Sequence, residues 1–161
     1  MSKREILEQV VAAQQSGMLK ERLIGLLEFK VIDCDDEELE WADFLYESKE
    51  NFLNVYNWVH GGISAAIADS CMGMTVSAAS QQPPSTTDLS VSYLRPMQGE
   101  TFRIHVEIKK LGKQLASAMC EISDGETGDL CVTAMGRYML MRKTILADER
   151  SKKLLDTYGN L

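Results

Sequence analysis

Residues 51–87 carry one formally charged side chain, Asp69. At the chain's overall charged content of 25%, a run of that length would hold about nine charges, so the segment belongs inside a fold. From Gly62 to about Ser80 its composition is Ala, Ile, Met, Ser and Gly. Read at helical spacing, Ile63, Ile67, Cys71 and Met74 share one face, and Gly62, Ala65, Ala66, Asp69, Gly73 and Val76 share another. A helix apolar nearly all round must be enclosed by the rest of the chain. The small residues on the Asp69 face allow a strand or a second subunit to approach closely. A lone carboxylate in such surroundings costs several kcal/mol unless partners or protonation compensate, so a chain that keeps one generally uses it. The ordinary alternative is a capped or paired structural Asp.

The flanking segments predict the layers that enclose this helix. Ile6, Leu7, Val10 and Val11 fall at helical spacing ahead of Gly17, predicting an amphipathic helix over residues 4–16. Ile24 to Asp33 and Leu39 to Glu47 are rich in strand formers and predict two strands joined by an acidic turn. After Pro83-Pro84, Thr87 to Arg95 alternates, and Phe102, Ile104, Val106 and Ile108 alternate cleanly with Arg103, His105, Glu107 and Lys109. Turn residues at 96–99, 111–113 and 124–128 separate further strands at Leu115 to Ser123 and Asp129 to Met141. The tail from Lys143 to Leu161 is expected to form a loose helix. The resulting fold class is α+β: a curved antiparallel sheet wrapped around one long central helix. Such a sheet leaves edges uncovered, which predicts self-association. At 161 residues a single domain suffices.

Composition excludes several classes of function. Residues 1–88 hold 6 Lys or Arg against 15 Asp or Glu, residues 89–143 hold 8 against 6, and the whole chain carries −7. That balance argues against a nucleic-acid partner, while leaving room for a small anionic ligand beside local basic groups. The acidic run from Asp33 to Glu50 reads as a solvated turn and strand face, and His105 on the polar face of its strand reads as solvated too. Four cysteines without C-x-x-C spacing and only two histidines predict reduced, packed thiols and no metal site. The opening residues lack the apolar core of a secretion signal, and the Asp69 segment is too rich in Ser, Gly and Thr to span a bilayer. A soluble, cytoplasmic protein without a membrane partner is expected.

Around Asp69 the residues form a specific pattern: Asn54, then His60-Gly61-Gly62, then Asp69, followed by Asp88, Tyr93-Leu94-Arg95-Pro96, Gly99 and Gly112-Lys113. Over about residues 20–141 this resembles the hotdog-fold acyl-CoA thioesterase family, in the branch that includes the phenylacetate-pathway and mammalian small acyl-CoA thioesterases. The resemblance implies an N-terminal helical extension at 1–19, a hotdog thioesterase domain at 20–142 and a tail at 143–161. It also implies a catalytic set. Asp69 would activate water or attack the thioester carbonyl itself; a desolvated carboxylate suits the first role and one held by hydrogen bonds the second. The Gly61 N–H, at the positive end of the helix dipole, would receive the oxyanion. Asn54 would help hold the thioester or the water, Thr86 would orient the water, and His60 would donate near the carbonyl. For each a simpler role also exists: a turn for Asn54, a strand former in Thr86, and a loop-fixing backbone bond for His60.

Substrate contacts implied by the same resemblance are Gly62, Tyr56 and Trp58 around the acyl group, with Met72 and Met74 either in the pocket or in the core. Arg95, Lys110, Lys113 and Arg137 are candidates for the phosphates of coenzyme A, a part of the substrate rather than a cofactor. One departure stands out. Members often carry Gly three residues before the His, whereas this chain has Asn57, the residue after Gly that best tolerates positive φ. The expected function is hydrolysis of an acyl- or aryl-CoA thioester by a homodimer or homotetramer with the active site at the dimer interface. Alternatives are an enoyl-CoA hydratase or dehydratase with His60 as base, and a non-catalytic acyl-CoA-binding module.

Overall fold

The computed structural model describes residues 1–141. In chain order it contains α1 (Lys3–Gln14), α2 (Leu23–Leu27), β1 (Lys30–Cys34), β2 (Trp41–Glu47), α3 (Gly61–Ser80), β3 (Pro84–Tyr93), β4 (Thr101–Leu111), β5 (Leu115–Asp124) and β6 (Leu130–Leu140). The strands form one antiparallel sheet in the order β1-β2-β4-β5-β6-β3. The crossover that carries β3 to the far edge is made through α3, which lies across one face of the sheet. This is the hotdog arrangement. The expected loose helix of the tail lies outside the described residues.

Each element has a local cause. α1 starts at a capping box: the Ser2 hydroxyl accepts from the Glu5 N–H while the Glu5 carboxylate accepts from the Ser2 N–H. α3 begins after His60, whose ring Nδ1 accepts from the Gly62 N–H, and ends at Gln81 in the left-handed region (φ 55°). On the sheet, Ala42, Phe44 and Tyr46 of β2, Phe102, Ile104 and Val106 of β4, and Ala116, Ala118, Cys120 and Ile122 of β5 all point inward and are buried. That face packs on Ile67, Cys71, Met74 and Ala78 of α3, and α1 adds Leu7 and Val11. Each large side chain so enclosed contributes about 1.5–3 kcal/mol. The four cysteines are all buried and free. Burial pushes the Cys71 and Cys120 thiols well above their ordinary range.

Two expectations need correction. The predicted strand over Ile24 to Asp33 starts only at Lys30, and residues 23–27 are the short helix α2. Gly25 explains the difference: a Cβ there would stand 2.3 Å from the Leu19 carbonyl oxygen, so its backbone packs directly on the turn at 17–21. The chain then reverses at Glu28, whose φ is 54°. The acidic stretch is likewise not wholly solvated. Asp43 is buried on the outer face of the sheet, 2.5 Å from the Arg103 guanidinium and 2.7 Å from His105 Nδ1. His105 is therefore half-buried between two carboxylates, with Nε2 3.3 Å from Glu107. Strand alternation placed these residues on one face, but the cross-strand register of Asp43 with His105 is what pairs them.

Gly136 on the inward face of β6 shapes the region below. A Cβ there would lie 2.6 Å from the Tyr138 hydroxyl and 2.8 Å from its ring, whereas a Cβ at Gly73 of α3 would make only an ordinary 3.9 Å contact with the same ring. Gly136→Ala should therefore lower stability by about 1–3 kcal/mol through overpacking. Gly73→Ala should raise it by about 0.5–1 kcal/mol through helix propensity. Urea denaturation of the two variants checks both signs.

Candidate active site

Asp69 projects from the middle of α3 toward the first residues of β3 and the end of β6. Its Oδ1 accepts two hydrogen bonds, from the Thr86 hydroxyl at 3.0 Å and from the Tyr138 phenol at 3.2 Å. Among the described residues no Lys or Arg pairs with it, and Oδ2 accepts no hydrogen bond. Burial, and then the Asp69 carboxylate itself, push the Tyr138 phenol far above its ordinary range, so it remains a protonated donor. The carboxylate is half-buried and forms part of the wall of a cavity of about 400 Å³. One oxygen is thus fixed by neutral donors and the other accepts no hydrogen bond among the described residues, an arrangement that can orient a base or a nucleophile without neutralising it.

Tyr138 was not among the residues expected from sequence. The available signal was Gly136-x-Tyr138 on an alternating strand, which puts both on the inward face and clears a space beside the tyrosine ring. Nothing in spacing alone says that the face is the one Asp69 meets.

The second half of the expected constellation lies at the start of α3. Among the described residues no acceptor faces the Gly61 N–H, while Gly62 is bonded to His60 Nδ1 at 3.0 Å. The Tyr93 hydroxyl at the far end of β3 donates to the Gly61 carbonyl at 2.8 Å. Trp58, Gly61, Ser64, Tyr93, Arg95 and Met97 line a second cavity of about 300 Å³ here. Gly61 and Asp69 are eight residues apart on one helix, about 12 Å along its axis. A single thioester carbonyl cannot meet both groups of the same subunit.

The remaining expected residues fall as follows. Asn54 turns its side chain into its own loop, Oδ1 accepting from the Tyr56 and Trp58 N–H groups at 2.9 and 3.2 Å. Asn57 sits in the left-handed region with φ 61°, so Asn takes the conformation that glycine often supplies in the family. Tyr56 stands at the loop tip with its ring 5.3 Å from that of Trp58. Met72 is core, and Met74 lines the Asp69 cavity. Of the four basic candidates, Arg95 lines the cavity at the helix start, and Lys110, Lys113 and Arg137 line neither cavity. Arg137 is exposed on β6, opposite Asp88 of β3.

The geometry can be set beside known proteins. The thioesterase superfamily profile matches residues 56–131, a span that contains Gly61, Asp69 and Thr86. Mouse acyl-coenzyme A thioesterase 13 is 32% identical over 92 residues, 56% of this chain and 64% of the relative. The chain thus spans less than two thirds of the length of that relative. A "putative esterase" of Thermoplasma acidophilum is 30% identical over 95 residues, 58% of this chain and 71% of the relative. Among solved structures, a phenylacetic acid degradation-related protein from Ralstonia eutropha JMP134 superposes with a TM-score of 0.67 at 27% identity, covering 74% of this chain and 90% of that one. Profile, relatives and fold agree: the chain belongs to the thioesterase superfamily.

Proposed function

We propose that this protein hydrolyses acyl-CoA thioesters, in sites that each take Asp69 from one subunit and the Gly61 N–H from another. The observation that carries this reading is a carboxylate on an enclosed helix with no cationic partner among the described residues, held through Oδ1 by Thr86 and Tyr138, in a residue that lines a cavity. The name of the mouse relative supports coenzyme A as the thiol. The reaction is balanced by water alone: Oδ2 takes a proton from water as its oxygen bonds to the carbonyl carbon, the Gly61 N–H receives the developing oxyanion, and collapse releases the thiol with that proton. Attack by Asp69 itself, through a mixed anhydride cleaved by water in a second step, uses the same groups.

The need for two copies follows from the separation of about 12 Å along α3 and from the free edge of the sheet. β3 pairs with β6 on one side and, among the described residues, with nothing on the other. Its Tyr93 end touches the start of α3 and its Thr86 end touches Asp69. Antiparallel pairing of β3 with its counterpart in a second copy would bring the Tyr93 and Gly61 end of one beside the Thr86 and Asp69 end of the other. Tyr93 at the end of β3 and Leu94 just after it, 55% and 53% exposed, would be covered. Arg95 lines the cavity at the helix start, and its positive charge suits a phosphate of coenzyme A. His60 has its Nδ1 committed to the helix start, which favours hydrolysis over a hydratase with His60 as base.

Gly61→Pro removes the N–H at the first helical position, where proline fits, and His60 before it already has the extended φ of −60° and ψ of 136°. Gly61→Pro and Asp69→Ala should each fold and each lose turnover by about 10²-fold or more. Mixed dimers of the two would hold one intact and one doubly damaged site, so mixing should restore thiol release to a substantial fraction of wild type. Absence of restoration in a mixture shown to exchange subunits would reject the shared site. Full activity of folded Asp69→Ala would reject the hydrolytic role. Tyr138→Phe should lower kcat about tenfold, the worth of one hydrogen bond to a charged group, with KM little changed. His60→Asn should retain activity and His60→Ala should lower stability by about 1 kcal/mol, measured by thiol release and thermal melting.

A further inference from the structure

The outer face of the sheet, opposite α3, carries apolar side chains in contact with solvent. On β5 and β6 the alternation turns Leu115, Ser117 and Met119, and Met135, Arg137 and Met139, outward, while Ala116, Ala118, Ala134 and Tyr138 between them are buried. Strand register sets Leu115 beside Met139 and Met119 beside Met135, so the four form two adjoining pairs. Leu115, Met135 and Met139 are 59%, 44% and 49% exposed. Single exposed apolar residues are ordinary on a surface, but a contiguous group marks a surface that something else contacts.

The charges around these pairs are mainly basic. Arg137 lies between the two pairs opposite Ser117, Lys110 of β4 meets Ser117 from the other side, and Lys113 sits in the turn just before Leu115. All three cations are exposed, and none forms an ion pair among the described residues. Asp88 of β3, opposite Arg137, is the acid of that row. Glu107, opposite Met119, is already tied to Lys109 and His105. A chain of net charge −7 thus gathers three uncommitted cations around its exposed methionines, although Lys110, Lys113 and Arg137 line neither cavity described above.

A peptide partner held by shape needs a groove, and these side chains line neither of those cavities; a bilayer surface needs none. Flexible methionine and leucine side chains can enter the boundary between headgroups and acyl chains while cations beside them meet the phosphates. We infer that Leu115, Met135 and Met139, flanked by Lys110, Lys113 and Arg137, rest on the surface of an anionic membrane. Among the described residues no helix is long and apolar enough to cross a membrane, and the contact is peripheral. Sequence offered no spanning segment and so predicted no membrane partner; only strand register gathers these side chains on one face. Edge pairing of β3, as proposed above, would make two sheets continuous and turn both outer faces the same way. The inference goes beyond the hydrolytic reading and uses none of its catalytic groups, while acyl chains themselves enter the same layer of a bilayer.

The test mixes the full-length protein with phosphatidylcholine vesicles containing about a third phosphatidylserine, and with vesicles of phosphatidylcholine alone, and reads the fraction that co-sediments. Binding should favour the anionic vesicles and weaken as salt rises, because exposed charges are then screened. Lys110→Glu with Lys113→Glu should lower the partition coefficient about 25-fold or more, roughly fivefold for each cation lost. Leu115→Ser with Met139→Ser should lower it severalfold, while hydrolysis of soluble butyryl-CoA, thermal melting and sedimentation mass stay at wild-type values. No preference for anionic vesicles, or a preference that survives both pairs of substitutions, would overturn the assignment. So would a lower oligomeric mass in the Leu115→Ser, Met139→Ser protein, which would show a second copy covering this face. A raised KM for butyryl-CoA in the lysine variant with vesicle binding intact would overturn it too, assigning those lysines to coenzyme A. Vesicle binding without thioester turnover would sink the hydrolytic reading and leave this face standing.

Discussion

The arrangement depends on one contact: the Asp69 carboxylate of a helix with no other charge, held by two hydroxyls from neighbouring antiparallel strands. Thr86 comes from the edge strand that follows the helix, and Tyr138 from the last strand of the sheet. Placing a carboxylate in an apolar layer is costly, and hydrogen bonding without neutralisation is the cheapest way to retain its charge. The contact therefore ties α3 to β3 and β6 and engages one carboxylate oxygen of a residue that lines a cavity.

That contact constrains its neighbours. Gly136 must lack a side chain for the Tyr138 ring to lie where it does. Gly73, one turn beyond Asp69, keeps the cavity open along the helix. At the helix start, His60 caps the Gly62 N–H through Nδ1, while among the described residues the Gly61 N–H has no acceptor and Gly61 lines a cavity at the positive end of α3. Gly61 and Asp69 lie too far apart along α3 to meet one carbonyl within a subunit. The unpaired β3 edge and the exposed aromatic and aliphatic side chains beside it supply a physical reason for two subunits to meet there.

Much of this was legible in the residues. The apolar stretch with its lone acid, the His-Gly-Gly ahead of it and the alternating strands behind it identified the long helix, the antiparallel sheet and the relation to thioesterases. Asn57 in place of glycine kept the same turn, as its tolerance of positive φ suggested. The segment at residues 23–27 was misread because its apolar residues suit a strand or a buried helix equally, and only the close approach of Gly25 to the preceding turn decides between them. Asp43 and His105 were taken as solvated because a polar strand face does not reveal which of its residues will be paired across strands.

By itself the chain determined the long helix and the alternating strands and set Asp69 apart as the one charge of an apolar segment, since these follow from periodicity and from the cost of charge in apolar surroundings. The tertiary structure alone decided that Tyr138 and Thr86 share Asp69 Oδ1, that Asn54 serves its own loop, that Arg95 lines a cavity while Lys110, Lys113 and Arg137 do not, and that Gln14 and Ile24 line the cavity beside Asp69. Those are contacts between residues far apart in the chain, set by strand register and by the angle at which helix and sheet pack. Local propensity carries no record of either.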